Sequence, residues 1–194
     1  MTDGIDASDT LVIEDMQRWL QRAVIGLNLC PFAKSVTVKG QVHYAVSRAV
    51  GFKDLLEDLK NELNALAGLD AKARDTTLLI APEGFAEFLE FNDLLAQADR
   101  LLAKQGWDGV FQIASLHPHY QFAGTQSGDI GNFTNRAPYP TLHLLREESI
   151  DRAVAAFPHA EAIFEVNMRT MERLGKAGWD ALGVDASIRG KIGP

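Results

Sequence analysis

Apolar residues recur along this chain at two spacings, and segments of the two kinds alternate. Spacings of three and four residues place side chains on one face of a helix and therefore predict amphipathic helices. Pro31 ends the first such segment, because proline disfavours helical geometry in the residue before it. Five helices are predicted, over residues 10–28, 52–68, 85–105 and 149–157 and from Pro158 to a stop at Gly175.

Shorter segments either alternate between apolar and polar residues or are apolar throughout, and these predict strands. In the first segment, the apolar residues 42, 44 and 46 face one side and residues 43, 45 and 47 face the other. The second segment is nearly all apolar, which is typical of a strand buried on both faces. Four strands are predicted, over residues 41–48, 76–81, 109–116 and 141–146.

The order of these segments predicts an α/β (or α+β) fold with a four-stranded mixed sheet and helices packed on it. Strands linked through helices favour right-handed βαβ units, so we expect split βαβ character. A chain of 194 residues fits a single domain. We assign residues 10–182 to this domain, residues 1–9 to a flexible leader and residues 183–194 to a polar tail.

Charge and cysteine content narrow the classes of function. The chain has 26 acidic and 19 basic residues and a net charge of −7. This argues against binding to nucleic acid or an anionic membrane, because both require a basic surface. Cys30 is the single cysteine, so no internal disulfide can form. No apolar run approaches the ~18 residues of a membrane span, and the acidic N-terminus lacks a signal pattern. We therefore predict a cytoplasmic protein.

The connection between the last two predicted strands, residues 117–140, has neither helical nor strand periodicity. Structureless connections longer than ~12–15 residues are uncommon in compact domains and are usually functional or disordered. This one carries aromatic residues and little formal charge apart from Asp129 and Arg136, which argues against disorder. We expect an ordered, functional loop, called the crossover below.

Three motifs occur together in this chain. They are Asn-Leu-Cys-Pro-Phe-Ala at 28–33, His-Pro-His-Tyr-Gln-Phe at 117–122 and Asn-Arg-Ala-Pro-Tyr-Pro-Thr-Leu-His-Leu-Leu-Arg at 135–146. With this combination the chain resembles a family of short bacterial proteins of unknown function, over roughly residues 10–175. The resemblance implies that the motifs are family hallmarks. It implies no activity, cofactor or catalytic residue.

Cys30 is the first candidate catalytic residue. It follows a helix and precedes a proline, so it lies in an extended turn that can present its sulfur. A cysteine becomes nucleophilic when a nearby imidazole or cation lowers the pKa of its thiol. Lys34 lies close enough in sequence to supply such a cation or to steer an anion. The alternative is a structural role, because free cysteines often fill space in a core.

Histidines form the second candidate group. His117 and His119 project to one face if the preceding strand continues through them, although Pro118 disturbs that strand. His143 lies in the next predicted strand, so all three imidazoles are expected to meet at one end of the sheet. They would act as acid–base groups, bind substrate or, alternatively, hold a divalent metal. Capping a strand or binding loop backbone is the structural alternative.

Two arginines indicate the class of substrate. Arg136 lies in the crossover, where it either clamps the loop or binds a carboxylate or phosphate, and the adjacent Asn135 is a further candidate for binding the substrate. Arg146 is a second candidate anchor, and its alternative is a salt bridge to the glutamates that follow it. Tyr120 is a candidate aromatic anchor in the same loop. We therefore predict a small anionic substrate, with His143 among the residues that bind it.

Together these residues predict a hydrolase or transferase in which Cys30, His117 and His119 carry out hydrolysis or acyl transfer. Two alternatives stay open. One is a metal-binding protein that uses His117, His119 and His143, and the other is a non-catalytic module that binds a ligand or partner. No cofactor is predicted. The proposed chemistry requires Cys30 and the crossover histidines to line one cavity.

Overall fold

The computed structural model describes residues 6–156 and 162–187. A π-helical segment, Leu20–Ile25, continues the first helix, and a 3₁₀ turn, Ile130–Asn135, lies in the crossover. The α-helices in the described residues are α1 (Ala7–Trp19), α2 (Ala33–Val38), α3 (Phe52–Ala67), α4 (Phe88–Lys104), α5 (Glu147–Ala156) and α6 (Ile163–Ala181). The strands are β1 (Val42–Val46), β2 (Thr76–Ile80), β3 (Phe111–Leu116) and β4 (Thr141–Arg146).

The four strands form one mixed sheet in the order β1-β2-β4-β3. β1 and β2 are parallel, and α3 connects them as in a βαβ unit. β4 is inserted between β2 and β3 and runs antiparallel to both. The predicted four-stranded mixed sheet with helices packed on it is therefore confirmed, and β4 occupies an interior position in it.

Helices cover both faces of the sheet, and each face has its own apolar core. α3 and α4 pack on one face, where Leu79 and Leu142 meet Leu59 and its neighbours. α1, the π-helical segment and α6 pack on the other face, around Leu78 and Ile80. Successive residues of β2 enter opposite cores because side chains alternate along a strand. All five residues of β2 are buried, as predicted for this strand.

Differences from the predicted segments occur mainly at their ends. α1 begins at Ala7 with Asp6 as its cap, so the helix includes residues assigned to the leader. The helix predicted over residues 10–28 changes to π-helical geometry at Leu20. β3 and α4 each begin a few residues later than predicted. α2 has no counterpart among the predicted segments.

The last two helices also differ from the prediction. α5 begins at Glu147, directly after β4, and Ser149 donates to a carboxylate oxygen of Asp75 (2.5 Å) instead of capping the helix. α6 continues beyond the predicted stop at Gly175, which forms a kink with a φ of 64°, a value that suits glycine. The limits predicted between these two helices, at residues 157 and 158, lie outside the described residues.

A buried carboxylate joins α1 to the C-terminal end of the described chain. Asp15 is 1% exposed, pairs with Arg18, and accepts hydrogen bonds from the Tyr139 hydroxyl (2.7 Å) and from the amide and hydroxyl of Ser187 (both 2.6 Å). Burial acts to raise the pKa of Asp15, but these hydrogen bonds outweigh burial and hold the pKa below its ordinary value. The segment predicted as a tail is thus bound to the domain as far as Ser187.

We expect Asp15→Asn to lower the free energy of unfolding by about 2–4 kcal/mol, because the new amide would place a donor against the donors of Ser187. Urea denaturation at pH 7 measures this loss. The control is Asp180→Asn, because that carboxylate is exposed and pairs with Lys176 on the surface of α6. We expect the control to change stability by less than about 0.5 kcal/mol. Equal losses in the two variants would contradict the role assigned to Asp15.

Candidate functional site

A cavity of about 1080 Å³ lies on the sheet face that α1 and α6 cover. Side chains of the sheet form its floor, among them Leu78, Leu116 and His143. α2, α5, α6 and the crossover contribute its walls. Its lining is mostly apolar with a few polar groups, and this composition and size are typical of sites for small molecules.

The turn after the π-helical segment places Cys30 in the wall of this cavity. Asn28 turns the chain with a φ of 54°, a conformation that asparagine tolerates better than most residues. Asn167 of α6 holds Leu29, the residue before Cys30, because its Nδ2 donates to the Leu29 carbonyl (2.9 Å). Cys30 is partly buried and is part of the cavity lining. A ligand in the cavity would therefore contact this residue.

His143 lies on the floor of the cavity, in β4. It pairs with Leu78 of β2 and with Ala114 of β3, and its side chain projects from the cavity face. The Thr76 hydroxyl donates to the Leu144 carbonyl (2.6 Å), so the hydroxyl oxygen accepts from His143 Nε2 (2.8 Å). This arrangement assigns the proton to Nε2 and leaves Nδ1 as the acceptor.

Nδ1 of His143 has no hydrogen-bond partner among the residues that the structure describes. Burial lowers the pKa of His143 to about 4, so the ring is neutral at pH 7. The floor of the cavity therefore offers an unprotonated nitrogen that can accept a hydrogen bond or a proton.

His117 lies on the other face of the sheet. Its side chain is fully buried against Phe88 and Phe91 of α4, with 5.5 Å between its ring centroid and each of theirs. Nε2 bonds the Phe85 carbonyl (2.9 Å), and Nδ1 accepts from the backbone amide of His119 (3.0 Å). Both nitrogens are engaged, and His117 is not among the residues that line the cavity. The expected pairing of His117 with Cys30 in one cavity is therefore not found.

His119 and Tyr120 follow His117 along the crossover and also lie outside the cavity lining. His119 is exposed, and Tyr120 packs against Phe122 with 4.9 Å between ring centroids. The three histidines do not meet as expected, because His143 projects from the opposite face of the sheet. Over residues 6–156 and 162–187, no three or more His, Cys, Asp or Glu side chains group in a way that could hold a metal ion.

Asn132 satisfies much of the polar backbone of the crossover. This residue is fully buried in the 3₁₀ turn. Its Oδ1 accepts from the Phe122 amide (3.0 Å) and the Thr125 hydroxyl (2.9 Å), and its Nδ2 donates to the Gln126 carbonyl (2.7 Å). These bonds order the loop, as its composition predicted.

Arg136 clamps the crossover, which is one of its two predicted roles. Its guanidinium donates to the carbonyls of Tyr120 (3.2 Å) and Ser127 (2.6 Å) and lies 4.0 Å from the centroid of the Phe133 ring. Burial lowers the pKa of Arg136 below its ordinary value. The residue is not part of the cavity lining, so it is not in place to anchor a ligand there.

Arg146 is among the residues that line the cavity at the end of β4, but its guanidinium lies on the opposite face of the sheet, beside the Phe111 ring, where backbone carbonyls engage it. It donates to the carbonyls of Leu66 and Leu69 (both 2.7 Å) and of Arg74 (3.1 Å). These contacts replace the alternative salt bridge to the following glutamates. Arg146 thereby holds the connection after α3 against the end of β4.

The remaining predicted residues divide between the cavity and the surface. Lys34 is exposed on α2 and is not among the lining residues. Asn135 lines the cavity, and its carbonyl accepts from the His117 amide (3.3 Å). Of the predicted site residues, the structure brings Cys30, Asn135, His143 and Arg146 to one cavity.

Thr76 and Asn167 contribute to the site, and the sequence analysis missed both. Thr76 orients the His143 ring, and Asn167 holds the turn that carries Cys30. A signal existed for Thr76, because a hydroxyl at the start of a nearly apolar strand needs a partner. Asn167 lies between Val166 and Met168 in α6 and gave no comparable signal.

The pH dependence of stability tests the environment of His117. Burial lowers its pKa from 6.5 to about 4, although the bond to Phe85 opposes the shift. The unfolded chain therefore binds more protons between these two pH values, and stability falls as the pH falls from 6.5 to 4. We expect His117→Gln, which cannot titrate, to reduce this fall by up to about 3 kcal/mol.

The measurement is urea denaturation at pH 7 and at pH 4.5 for the wild type and each variant. His119→Gln is the matched control, because it removes an exposed imidazole two residues away. We expect the control to retain the wild-type fall in stability. The assignment would be overturned by a His117→Gln variant with the same pH dependence as the wild type.

No helix within the described residues combines the length and the apolar character needed to cross a membrane.

Three comparisons with known proteins bear on the class of this protein. Neither the curated proteins nor the solved structures yield a match. A family model of unknown function matches residues 11–181, which agrees with the resemblance drawn from the motifs. The chain therefore belongs to the family described as "Protein of unknown function (DUF1415)".

Proposed function

We propose that this protein binds a small, largely apolar molecule in the cavity between the sheet and helices α2, α5 and α6. The observation that carries the proposal is His143 Nδ1, a neutral acceptor with no partner among the described residues, on the floor of a cavity of about 1080 Å³. His143 is partly exposed, and no buried side-chain nitrogen or oxygen among the described residues lacks a partner, so Nδ1 is open to the cavity, where a ligand can donate a hydrogen bond to it. A ligand with an apolar body and a hydrogen-bond donor fits both features.

We expect Ala153→Trp to weaken binding of the uncharged dye Nile red by at least about tenfold, because Ala153 lines the cavity and an indole would fill part of it. Fluorescence titration measures the dissociation constant. Ala155→Trp is the matched control on the same helix, because Ala155 is exposed and does not line the cavity. We expect the control to bind like the wild type. Failure of the wild type to bind the dye, or equal weakening in the two variants, would count against the proposed binding site.

Catalysis in the same cavity is a second proposal, favoured by the presence of Cys30 and His143 in one lining. A thiol and an imidazole are the nucleophile and base of thiol-dependent acyl transfer. His143 takes the place that the sequence analysis gave to His117 and His119. Asn135 lines the same cavity, and its side-chain amide is the proposed donor to the developing oxyanion.

In the proposed reaction, His143 Nδ1 takes the thiol proton while the Cys30 sulfur forms a bond to the acyl carbon of an ester. The carbon–oxygen bond to the leaving group then breaks, and the imidazolium returns the proton to the departing oxygen. Water attacks the resulting thioester as His143 accepts a proton from it. The carbon–sulfur bond then breaks, the imidazolium returns that proton to the Cys30 sulfur, and the acid leaves. Because a pKa of about 4 makes His143 a weak base, we expect slow turnover.

We expect p-nitrophenyl butyrate to release p-nitrophenolate in a Cys30-dependent burst, followed by slow turnover. Cys30→Ser should abolish the burst, and His143→Gln should slow acylation by at least about tenfold, because general base catalysis contributes rate factors of this order or more. Stopped-flow absorbance measures both. His43→Gln is the control, because His43 is a half-exposed histidine that pairs with Glu62 of α3. Unchanged kinetics in Cys30→Ser would rule out the proposed chemistry and leave the binding site standing.

A further inference from the structure

The charges around the cavity indicate what kind of molecule it holds. We infer that the ligand is an anionic amphiphile, with its apolar chain along the sheet and its anionic head at the end of the cavity where β1 and β2 begin. The inference rests on the proposed small-molecule binding, because it names the class of molecule bound. It does not require Cys30 to act as a nucleophile.

The residues that line the cavity include more basic than acidic ones, although the chain as a whole is acidic. Its basic lining residues are Lys39, Lys72, Arg146 and Arg152, and its acidic lining residue is Asp75. The whole chain carries 26 acidic and 19 basic residues. Basic groups are thus concentrated at this cavity against the balance of the chain, and a site of this sign attracts anions.

These basic groups are not all neutralised by carboxylates. Lys39 and Lys72 are exposed, and neither forms an ion pair within the described part of the chain. Arg146 projects from the opposite face of the sheet, where its guanidinium meets the Leu66 and Leu69 carbonyls at the end of α3 and the Phe111 ring. Arg152 pairs with Glu148. Lys39 and Lys72 are therefore the two cations that favour an anionic group at this cavity, against the one carboxylate of Asp75, which accepts a hydrogen bond from Ser149.

The sheet brings these two lysines to the same end of the cavity. Gln41, just before β1, donates from its side chain to the Lys72 carbonyl (3.1 Å), so the segments that carry Lys39 and Lys72 adjoin. β4 runs antiparallel to β2, so Leu145 pairs with Thr76 and forms apolar floor beside this end. The head of a ligand is therefore expected here.

The floor of the cavity continues from this end as an apolar surface. Val42 and Leu145 lie beside the cationic end, Leu78 lies in the middle of the floor, and Leu116 lies toward the crossover. From the first row of β2 to its last row, the strands rise by roughly 13 Å, at about 3.3 Å per residue. A single alkyl chain attached to the head would follow this surface and pass His143.

Calorimetric titration with three ligands of equal chain length tests the head group. Decanoate, decanol and decylammonium carry an anionic, a neutral and a cationic head on the same chain. We expect decanoate to bind the full-length protein about tenfold more tightly than decanol at low salt, because two exposed cations contribute up to about this order of free energy. Decylammonium should bind most weakly, and added salt should reduce the preference for decanoate.

A pair of double variants locates the head group. Lys39→Gln with Lys72→Gln should reduce the preference for decanoate over decanol to less than about threefold. Lys34→Gln with Lys104→Gln removes the same charge from exposed residues that do not line the cavity, and this control should keep the wild-type preference. Decanol binding as tightly as decanoate, or equal losses in both double variants, would overturn the inferred head group. If Nile red binds while decanoate shows no preference, only the head group is refuted; if Nile red also fails to bind, the proposed function fails.

Discussion

The insertion of β4 between β2 and β3 is the constraint on which the rest of this structure depends. Leu116 ends β3 directly opposite Thr141, which begins β4, so the crossover leaves and returns at the same end of the sheet and is far longer than the turn needed to join the two strands. The polar backbone groups of this long loop need partners. Asn132 and Arg136 supply these partners inside the loop, and His117 ties its beginning to the Phe85 carbonyl. Side chains that resemble catalytic groups in the sequence therefore serve to hold the crossover in place.

Alternation of side chains along the strands then decides which residues can act together. Leu116 is the last residue of β3 and lines the cavity, so the next residue, His117, enters the opposite core against α4. His143 pairs with Ala114, two residues before Leu116, and lies on the cavity face. Two histidines that are close in the sheet are thereby separated by its thickness. The same alternation places His143, and not His117, in the cavity that Cys30 lines.

The sequence was sufficient to predict the helices, the strands and the class of fold, because hydrophobic periodicity reports burial directly. The alternation of β1 and the continuous apolar run of β2 predicted which faces of these strands are buried, and the two apolar cores of the structure lie against those faces. The site could not be predicted to the same extent. Whether His117 and His143 share a face depends on the register between β3 and β4, and a connection of this length does not fix the register. The role of Arg136 depends on which carbonyls the folded loop brings near, and no local pattern reports that.

α5 shows how the cavity and the fold depend on each other. None of the α5 side chains is buried. The described contacts between α5 and the rest of the chain include the hydrogen bond from the Ser149 hydroxyl to Asp75. Its apolar residues Ile150 and Ala153 line the cavity, so their packing depends on what the cavity contains. An apolar molecule would provide dispersion contacts that water does not. Because a ligand that binds only the folded chain stabilises it by mass action, the free energy of binding would include the packing of α5. Residues that the fold leaves without buried contacts are thus the ones best placed to recognise the ligand.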